Sequence, residues 1–192
     1  MTGFPPSRHD AVDTIRATGW LPHVQRIDSP NRDARPDDTP IELLVVHNIS
    51  LPPGEFGGDA IAELFTNRLD ADAHPYFAGI ADLRVSAHLL IRRDGGIVQF
   101  VPFHARAWHA GVSRWNGRER CNDFSIGIEL EGTDEVPFTW AQYARLIGVT
   151  QLLQRAYPLA AAIGHSDIAP ERKTDPGPCF DWRLFRASTG MR

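Results

Sequence analysis

Two histidines and one aspartate are the residues of this sequence whose types most suggest chemistry. His165 and Asp175 lie ten positions apart on a proline-rich segment, and His47 follows the apolar run at residues 41–46. Imidazole and carboxylate groups are common ligands of zinc. Glu129 lies inside the alternating run at residues 125–130 and could serve as a base. Together these four side chains are what a hydrolytic zinc centre requires.

The spacing of these residues alone allows a second interpretation. Local zinc motifs, such as two histidines one helical turn apart, are far more specific than ligands so distant in sequence. A histidine at a strand end is often only a hydrogen-bonded polar group at a sheet edge. That interpretation fits four other histidines better, namely His9, His23, His74 and His104. His47 and His165 each follow a short apolar run, and ligands commonly gather at the carboxyl ends of strands, which favours the metal site.

The hydrophobic pattern predicts the elements that must position these residues. Short apolar or alternating runs predict strands, and apolar residues at helical spacing predict helices. The predicted strands span residues 41–46, 86–91, 97–101, 125–131 and 161–164, and the predicted helices span residues 59–69 and 139–157. An Asp-Gly step predicts that the second and third strands form an antiparallel hairpin. Asp59 is a predicted N-cap, and Thr139 with Gln142 is a predicted capping box.

The strand at residues 125–131 alternates with a period of two. Ile126, Ile128 and Leu130 share one face, so Glu129 points away from the apolar face. Gly127 carries no side chain, and we expect it to leave room for a ligand over the strand. Glu129 is therefore expected to serve chemistry rather than the core.

The size and composition of the chain predict one globular domain over residues 1–192, with 42% hydrophobic residues. Residues 1–40 are rich in Pro, Asp and Arg, which predicts a largely irregular N-terminal arm within that domain. The first ten residues contain no apolar segment typical of a secretory signal, and no run approaches transmembrane length. We therefore expect a cytoplasmic protein without a membrane partner.

The charge distribution bears on the partner. A net charge of −4 argues against nucleic acid, because a duplex-binding surface needs clustered Lys and Arg. The charge is uneven, however, since seven arginines between Arg84 and Arg120 stand against only Asp94 and Glu119, a net charge of +5. This segment is expected to favour an anionic ligand. The alternative is that these arginines are solvated side chains of exposed loops.

The two cysteines, Cys121 and Cys179, are not expected to form a disulfide, because a domain of this size does not need one in a reducing compartment. Cys179 lies four residues after Asp175 and could compete as a thiolate ligand. We interpret it instead as a filler of its loop. Cys121 is expected to be a small buried hydrophobe.

Six segments closely resemble the zinc-dependent N-acetylmuramoyl-L-alanine amidase family, in order and at family-like separations from about Gly19 to Trp182. They are residues 44–48 (LVVHN), 86–89 (SAHL), 107–111 (AWHAG), 122–132 (NDFSIGIELEG), 164–170 (GHSDIAP) and 173–182 (KTDPGPCFDW). The nearest resemblance is to the cytoplasmic, AmpD-type branch of 1,6-anhydro-N-acetylmuramyl-L-alanine amidases. The resemblance implies an α/β fold of the α+β type, with a central mixed β-sheet covered by helices, as in peptidoglycan recognition proteins.

The resemblance also implies roles for matching residues. His47, His165 and Asp175 resemble the ligands of a Zn²⁺ cofactor. Three protein ligands would leave the fourth coordination position of the zinc open to water. Glu129 resembles the general base, and Lys173 resembles the residue that stabilises the oxyanion. Six further residues resemble positions near the substrate groove: Asn48, Arg84, His88, Trp108, His109 and Arg120. For Trp108 the alternative is core packing, since tryptophan is highly buried on average.

The implied activity is hydrolysis of the amide that joins the lactyl group of (anhydro-)N-acetylmuramic acid to L-alanine of the stem peptide, in cytoplasmic peptidoglycan recycling. The partner is then a small muropeptide, and a monomer is expected. Three alternatives are a non-catalytic muropeptide-binding protein, an exported cell-wall lytic amidase, and a hydrolase of other amides, since the site specifies only amide hydrolysis. The complete ligand set with Glu129 argues against the first, and the lack of a visible export signal argues against the second.

Overall fold

The computed structural model describes residues 8–191 of the chain. In this part the strands are β1 (Gln25–Arg26), β2 (Arg32–Ala34), β3 (Leu43–Ile49), β4 (Leu89–Ile91), β5 (Ile97–Gln99), β6 (Ala105–Ala107), β7 (Arg114–Trp115), β8 (Arg118–Glu119), β9 (Ser125–Glu131) and β10 (Ala161–Gly164). The α-helices are α1 (Arg8–Thr18), α2 (Ala60–Phe65), α3 (Trp140–Ala156), α4 (His165–Ile168) and α5 (Trp182–Thr189). Within these residues, none of the helices combines the length and apolar character needed to cross a bilayer.

Six strands form one mixed sheet in the order β1-β5-β4-β9-β3-β10. Strands β4 and β5 pair antiparallel, and the other neighbours pair in parallel. The antiparallel pair is the predicted hairpin. Within the hairpin turn, Gly95 adopts a φ of +86°, a conformation that glycine allows. Strand pairs β2-β6 and β7-β8 form two small separate sheets. The predicted fold class, a central mixed sheet with helices, is confirmed.

The two faces of the sheet are packed differently. Helices α1, α3 and α5 share a hydrophobic cluster with Ile126, Ile128 and Leu130 of β9, so the predicted alternation of this strand is confirmed. Helix α2 packs in a second cluster that contains residues of β4 and β5. Because side chains alternate along a strand, Glu129 and its neighbour His47 point away from the face that carries α3. They are nevertheless buried, since both faces of β9 are covered.

Strand β3 is longer than the sequence predicts. The pattern predicts an end before His47, but the strand continues to Ile49 because it pairs with β9 along its whole length. His47 therefore lies inside the strand, with Glu129 as its direct partner in β9. On its other side β3 pairs with β10, which ends at Gly164. His165 follows Gly164 immediately, so the two histidines start from neighbouring strands.

The prediction of a largely irregular arm at residues 1–40 is wrong for residues 8–18, which form α1. Apolar Ala11, Val12 and Ile15 lie at helical spacing and are buried. The prediction used the overall composition of residues 1–40, in which the charged residues outweigh these few apolar positions. Residues 1–7 lie outside the described part of the chain, and one domain over residues 1–192 stays a prediction.

Arg35, from the same segment, ties the arm to the core. Its guanidinium donates hydrogen bonds to the backbone carbonyl oxygens of Phe103, Asn122, Asp123 and Ser125 at 2.8–3.2 Å. Burial lowers the pKa of Arg35 to about 10. This part of the arm is thus integral to the fold.

Of the two predicted helices, the one at residues 139–157 is confirmed and the other is shorter than predicted. The side chain of Thr139 accepts a hydrogen bond from Gln142 N, and Gln142 Oε1 accepts one from Thr139 N, which is the predicted capping box. Helix α2 ends at Phe65, and Asp59 occupies its N-cap position without a side-chain hydrogen bond. The chain cannot continue as a helix because Asn67 adopts a φ of +59°.

Replacing Thr139 with alanine is expected to lower the free energy of unfolding by about 1–2 kcal/mol. The hydroxyl caps α3 and also donates to the carbonyl oxygen of Arg93, so the substitution removes two hydrogen bonds. Urea unfolding measures the change. Thr14→Ala is the control, because that hydroxyl donates only within its own helix turn to Asp10 O, and equal losses in both variants would contradict the role of the cap.

Candidate active site

One nitrogen of His47, one nitrogen of His165 and one oxygen of Asp175 form a small triangle beside β3 and β10. The two Nδ1 atoms lie 3.0 Å apart. Asp175 Oδ2 lies 3.0 Å from His47 Nδ1 and 3.1 Å from His165 Nδ1. Both histidines are buried and the aspartate is half-buried. The structure therefore brings together the three residues that the sequence predicts as metal ligands.

Three acceptor atoms face one another across this triangle, with few hydrogens to place between them. His165 Nε2 lies 3.1 Å from the carbonyl oxygen of Ala110, which can only accept, so a neutral His165 carries its hydrogen there and presents a lone pair at Nδ1. Burial lowers the pKa of His47 to about 4, so this ring is neutral at pH 7 and also carries one hydrogen. The three facing atoms consequently share at most one hydrogen. A cation between them would satisfy all three.

The donor set and its spacing fit a divalent metal ion. Two imidazoles and a carboxylate make up a catalytic set that zinc accepts. Ligand atoms around a tetrahedral zinc stand about 3.3 Å apart, close to the 3.0–3.1 Å edges of the triangle. Burial opposes the charged form of Asp175, but the close contacts of the carboxyl with His165 and His47 outweigh burial and hold its pKa below its ordinary value. Asp175 therefore offers an ionised ligand.

The loop that carries Asp175 packs closely against the end of β10. Ser166 N donates to the backbone oxygen of Asp175 at 3.0 Å. A Cβ on Gly164 would lie 2.8 Å from Pro176 Cδ, so the loop needs a glycine at this position. Nearby Asp167 turns away from the triangle and accepts a hydrogen bond from Gly164 N at 2.7 Å.

Neither cysteine joins the triangle. Both are free thiols, as predicted. Cys121 is fully buried in an apolar cluster, and burial raises the pKa of its thiol. Cys179 is half-buried and, among residues 8–191, lies outside the His-His-Asp group.

Glu129 supplies a carboxyl beside the triangle. It is the direct strand partner of His47, lines the same cleft and is 8% exposed. Its Oε2 atom is buried and has no hydrogen-bond partner among the described residues. Burial raises the pKa of this carboxyl well above its ordinary value, the charge of Asp175 raises it further, and Lys173 opposes both. A carboxyl with a high proton affinity and an unpartnered oxygen can take a proton from a bound molecule.

The triangle and Glu129 line a cleft of about 570 Å³. Its apolar lining includes Leu51, Leu64, Phe65, Tyr76, Ile80, Leu83, Val85 and Trp108. Its polar lining includes Asn48, Thr133, Asp134, Arg172, Lys173 and Thr174. Polar and apolar groups share the lining about equally, and a concavity of this volume suits a small organic molecule with both kinds of group.

Three of the six residues predicted near the substrate groove line this cleft, namely Asn48, Trp108 and His109. The structure does not bring the other three, Arg84, His88 and Arg120, to its lining. Arg84 and Arg120 are exposed. His88 is fully buried, where its Nδ1 accepts a backbone N–H of β9 and its Nε2 lies 3.2 Å from a backbone carbonyl of β6. The ring thus satisfies backbone groups of the core.

The positive charge counted between Arg84 and Arg120 is largely neutralised in the fold. Five of these arginines form ion pairs with carboxylates: Arg92 with Asp59, Arg106 with Asp33 and Asp123, Arg114 with Glu119, Arg118 with Glu42, and Arg120 with Asp123. Most partner acids lie outside the segment, so a count along the sequence misses them. The expectation that this segment favours an anionic ligand is therefore not supported by its surroundings.

Gly127 does not leave room for a ligand, because the imidazole of His109 fills the space over it. A Cβ at Gly127 would lie 2.4 Å from His109 Cγ. His109 Nδ1 lies 2.9 Å from His47 Nε2, and its Nε2 lies 3.1 Å from Ser125 Oγ. Burial, followed by the neighbouring histidines, lowers the pKa of His109 well below its ordinary value. The glycine permits the close approach of a protein side chain rather than of a ligand.

Two charged residues of the cleft escaped the sequence analysis, Arg172 and Asp134. Arg172 Nη2 donates to the carbonyl oxygens of Ala110 and Val112 at 2.9 and 2.8 Å, which holds an exposed guanidinium at the cleft. Asp134 Oδ1 accepts a 2.7 Å hydrogen bond from Asn48 Nδ2. The position of Arg172 next to Lys173, on the loop of a ligand, is a signal that could have identified it. No sequence pattern marks Asp134.

Comparisons with known proteins identify the family of the chain. The sequence profile of the family N-acetylmuramoyl-L-alanine amidase matches residues 37–178. A Citrobacter freundii protein named 1,6-anhydro-N-acetylmuramyl-L-alanine amidase AmpD is 67% identical over 171 residues, which cover 88% of this chain and 91% of that protein. A crystal structure of a selenomethionine AmpD derivative is 67% identical, with a TM-score of 0.87 and coverage of 88% and 96%. The Escherichia coli amidase AmiD, in complex with the substrate anhydro-N-acetylmuramic acid-L-Ala-D-γ-Glu-L-Lys, is 32% identical, with a TM-score of 0.57 and coverage of 83% and 61%.

Proposed function

The chain belongs to the N-acetylmuramoyl-L-alanine amidase family, and from this premise we propose that its substrates are free anhydromuropeptides. The enzyme hydrolyses the amide between the lactyl group of 1,6-anhydro-N-acetylmuramic acid and the L-alanine of the stem peptide. One observation supports the chemistry: His47, His165 and Asp175 form a triangle with the geometry to hold a metal ion, in the same cleft as Glu129, whose Oε2 has no hydrogen-bond partner within residues 8–191. The substrate class is supported by the anhydro-specific name of a relative 67% identical.

In this proposal the cofactor is Zn²⁺, which His47 Nδ1, His165 Nδ1 and Asp175 Oδ2 would hold. When bound, zinc polarises a carbonyl and lowers the pKa of a water molecule. The lone pairs that face one another across the triangle support this assignment, because with both rings neutral at most one hydrogen lies between the three atoms. Three protein ligands also suit a catalytic site rather than a structural one.

Glu129 and Lys173 move the proton and stabilise the developing charge. Glu129 takes a proton from the attacking water and passes it to the nitrogen of L-alanine as the C–N bond breaks. Its raised pKa and its unpartnered Oε2 support this role. Lys173 lines the cleft two residues before Asp175, so its ammonium group can approach the carbonyl oxygen as that oxygen becomes negative. A donor in that position contributes about 3 kcal/mol.

Substrate recognition uses the two kinds of cleft lining. The apolar residues, with Trp108 among them, contact the sugar ring and its methyl groups. Arg172 pairs with a carboxylate of the stem peptide, because its guanidinium is exposed at the cleft and has no carboxylate partner among the described residues. Asn48 and Asp134 offer hydrogen bonds to peptide groups. Arg172 takes the role that the sequence suggests for Arg84 and Arg120.

The alternatives predicted from the sequence have weaker support. A muropeptide-binding protein without activity would not need the buried, unpartnered carboxyl of Glu129, and such a group lowers the stability of the fold. An exported lytic amidase would act on polymeric peptidoglycan, which is a testable difference. A cytoplasmic location and a monomeric state stay predictions.

Free anhydromuropeptides are expected to be cleaved faster than polymeric peptidoglycan. Initial rates on anhydro-N-acetylmuramoyl-tripeptide and on purified sacculi, at matched stem-peptide concentration, can be compared by mass spectrometry of the released peptide. Protein treated with a chelator, and then reloaded with zinc, is the control for metal dependence. Equal rates on both substrates would refute the recycling role and leave the amidase chemistry standing. If the zinc-loaded protein cleaves neither substrate, both are refuted.

A further inference from the structure

His47 has a second polar contact on the side of its ring that faces away from the triangle. His47 Nε2 lies 2.9 Å from His109 Nδ1, and the two rings meet edge to face with centroids 5.0 Å apart. His109 Nε2 in turn lies 3.1 Å from the hydroxyl of Ser125. A chain of three polar side chains therefore runs from the triangle into the protein.

The chemistry of neutral imidazoles restricts where the hydrogens of this chain can lie. If His47 Nδ1 presents a lone pair to a metal, the ring must carry its hydrogen on Nε2. At 1% exposure His47 cannot rely on solvent, so that hydrogen needs a protein acceptor, and His109 Nδ1 is in position. His109 must then carry its own hydrogen on Nε2, where the Ser125 oxygen accepts it. Only one placement of the hydrogens along these three side chains is compatible with a bound metal.

We propose that His109 and Ser125 are positioning residues for the metal site, which hold His47 in the tautomer and the ring orientation that expose Nδ1. This inference rests on the proposed function, because it assumes the metal. It differs from the role that the sequence suggests for His109, which is contact with the substrate. Partners that orient a ligating histidine typically change metal affinity by about 10- to 100-fold when they are removed.

The backbone of β9 is shaped for this arrangement. Ser125 and Gly127 lie on the same face of the strand, two residues apart. The imidazole of His109 lies over Gly127 and reaches the Ser125 hydroxyl with one nitrogen and His47 with the other. Any side chain at Gly127 would displace the ring, since even a Cβ would lie 2.4 Å from His109 Cγ. A substitution of this glycine thus displaces His109 without altering a polar group.

The test is the zinc dissociation constant, measured by competition with a chromophoric chelator. His109→Phe keeps a ring but removes the acceptor, and is expected to weaken zinc binding by about 10- to 100-fold. His109→Asn places an oxygen where Nδ1 stood, and is expected to restore most of the affinity. Ser125→Ala removes the last hydrogen-bond acceptor of the series and should weaken zinc binding less than His109→Phe. Thermal unfolding of each metal-free variant separates a local effect from a loss of fold.

Gly127→Ala gives an independent test, since it is expected to weaken zinc binding with His109 intact. Gly148→Ala is the matched control, because a Cβ there meets no atom within 4 Å, and its affinity should equal that of the wild type. Nitrogen-15 chemical shifts of the zinc-loaded protein should show hydrogen on Nε2 of both His47 and His109. Wild-type affinity in His109→Phe, or equal weakening in His109→Phe and His109→Asn, would overturn the proposal. Failure of the wild type itself to bind zinc would instead refute the proposed function.

Discussion

Replacing Glu129 with glutamine is expected to lower turnover by about 100- to 10,000-fold while zinc content and fold remain unchanged. Glutamine has nearly the same shape as glutamate but cannot accept a proton at neutral pH. The carboxyl makes no hydrogen bond through Oε2 within residues 8–191, so the substitution removes little structure. The measurements are kcat with an anhydromuropeptide, metal content, and the thermal midpoint of the variant.

Glu131→Gln is the matched control for this prediction. Glu131 is also buried in β9, on the same face, but its two oxygens accept hydrogen bonds from the backbone of Gly57 and Arg93. Its substitution should lower stability by about 1–3 kcal/mol, because one acceptor becomes a donor, and should leave the folded enzyme active. Near-wild-type turnover in Glu129→Gln would contradict this role and move the function of the base to another group.

Replacing Asp175 with alanine is expected to abolish stoichiometric zinc binding. The aspartate is the common partner of both histidine nitrogens and the only anionic member of the triangle. Without it, two neutral imidazoles remain, which is one ligand fewer than an open catalytic zinc site uses. Metal analysis after dialysis, together with zinc-dependent changes in thermal stability, measures the loss.

Asp167→Ala is the control for the loop that carries Asp175. Asp167 accepts the hydrogen bond from Gly164 N beside the triangle, so its loss perturbs the same loop without removing a ligand. This variant should keep its zinc. Stoichiometric zinc in Asp175→Ala would assign the third ligand to Asp167 or to Cys179.

Those parts of the fold that depend on local signals can be predicted from the sequence. The capping box of Thr139 begins α3 as expected, and the period of two in β9 places Glu129 opposite the main apolar face. The end of β3 cannot be predicted in this way, because it depends on pairing with β9 rather than on the residues after Val46. Helix α1 escapes prediction because charged residues separate its few apolar positions.

For the site, the residue types and the family resemblance identify the triangle, and the structure brings its members together. Spacing alone leaves His47 open to a sheet-edge interpretation, since its partners come from distant segments. The contact of His109 with Gly127 depends on how a loop packs over a strand, which no local pattern encodes. The ion pairs of the central arginines are likewise long-range, so the net charge of a segment is a poor guide to the field around it.

The parallel pairing of β3 with both β9 and β10 has a consequence for the order in which the protein matures. His47 and His165 are 118 positions apart and become neighbours only when these strands have paired, and long-range parallel pairings form slowly. A nascent or partly folded chain therefore holds separate histidines that cannot capture zinc as a set. With the proposed zinc site, metal acquisition and activity both wait for the completed sheet, so a chain able to cut its substrate has already passed the slow stage of its own folding.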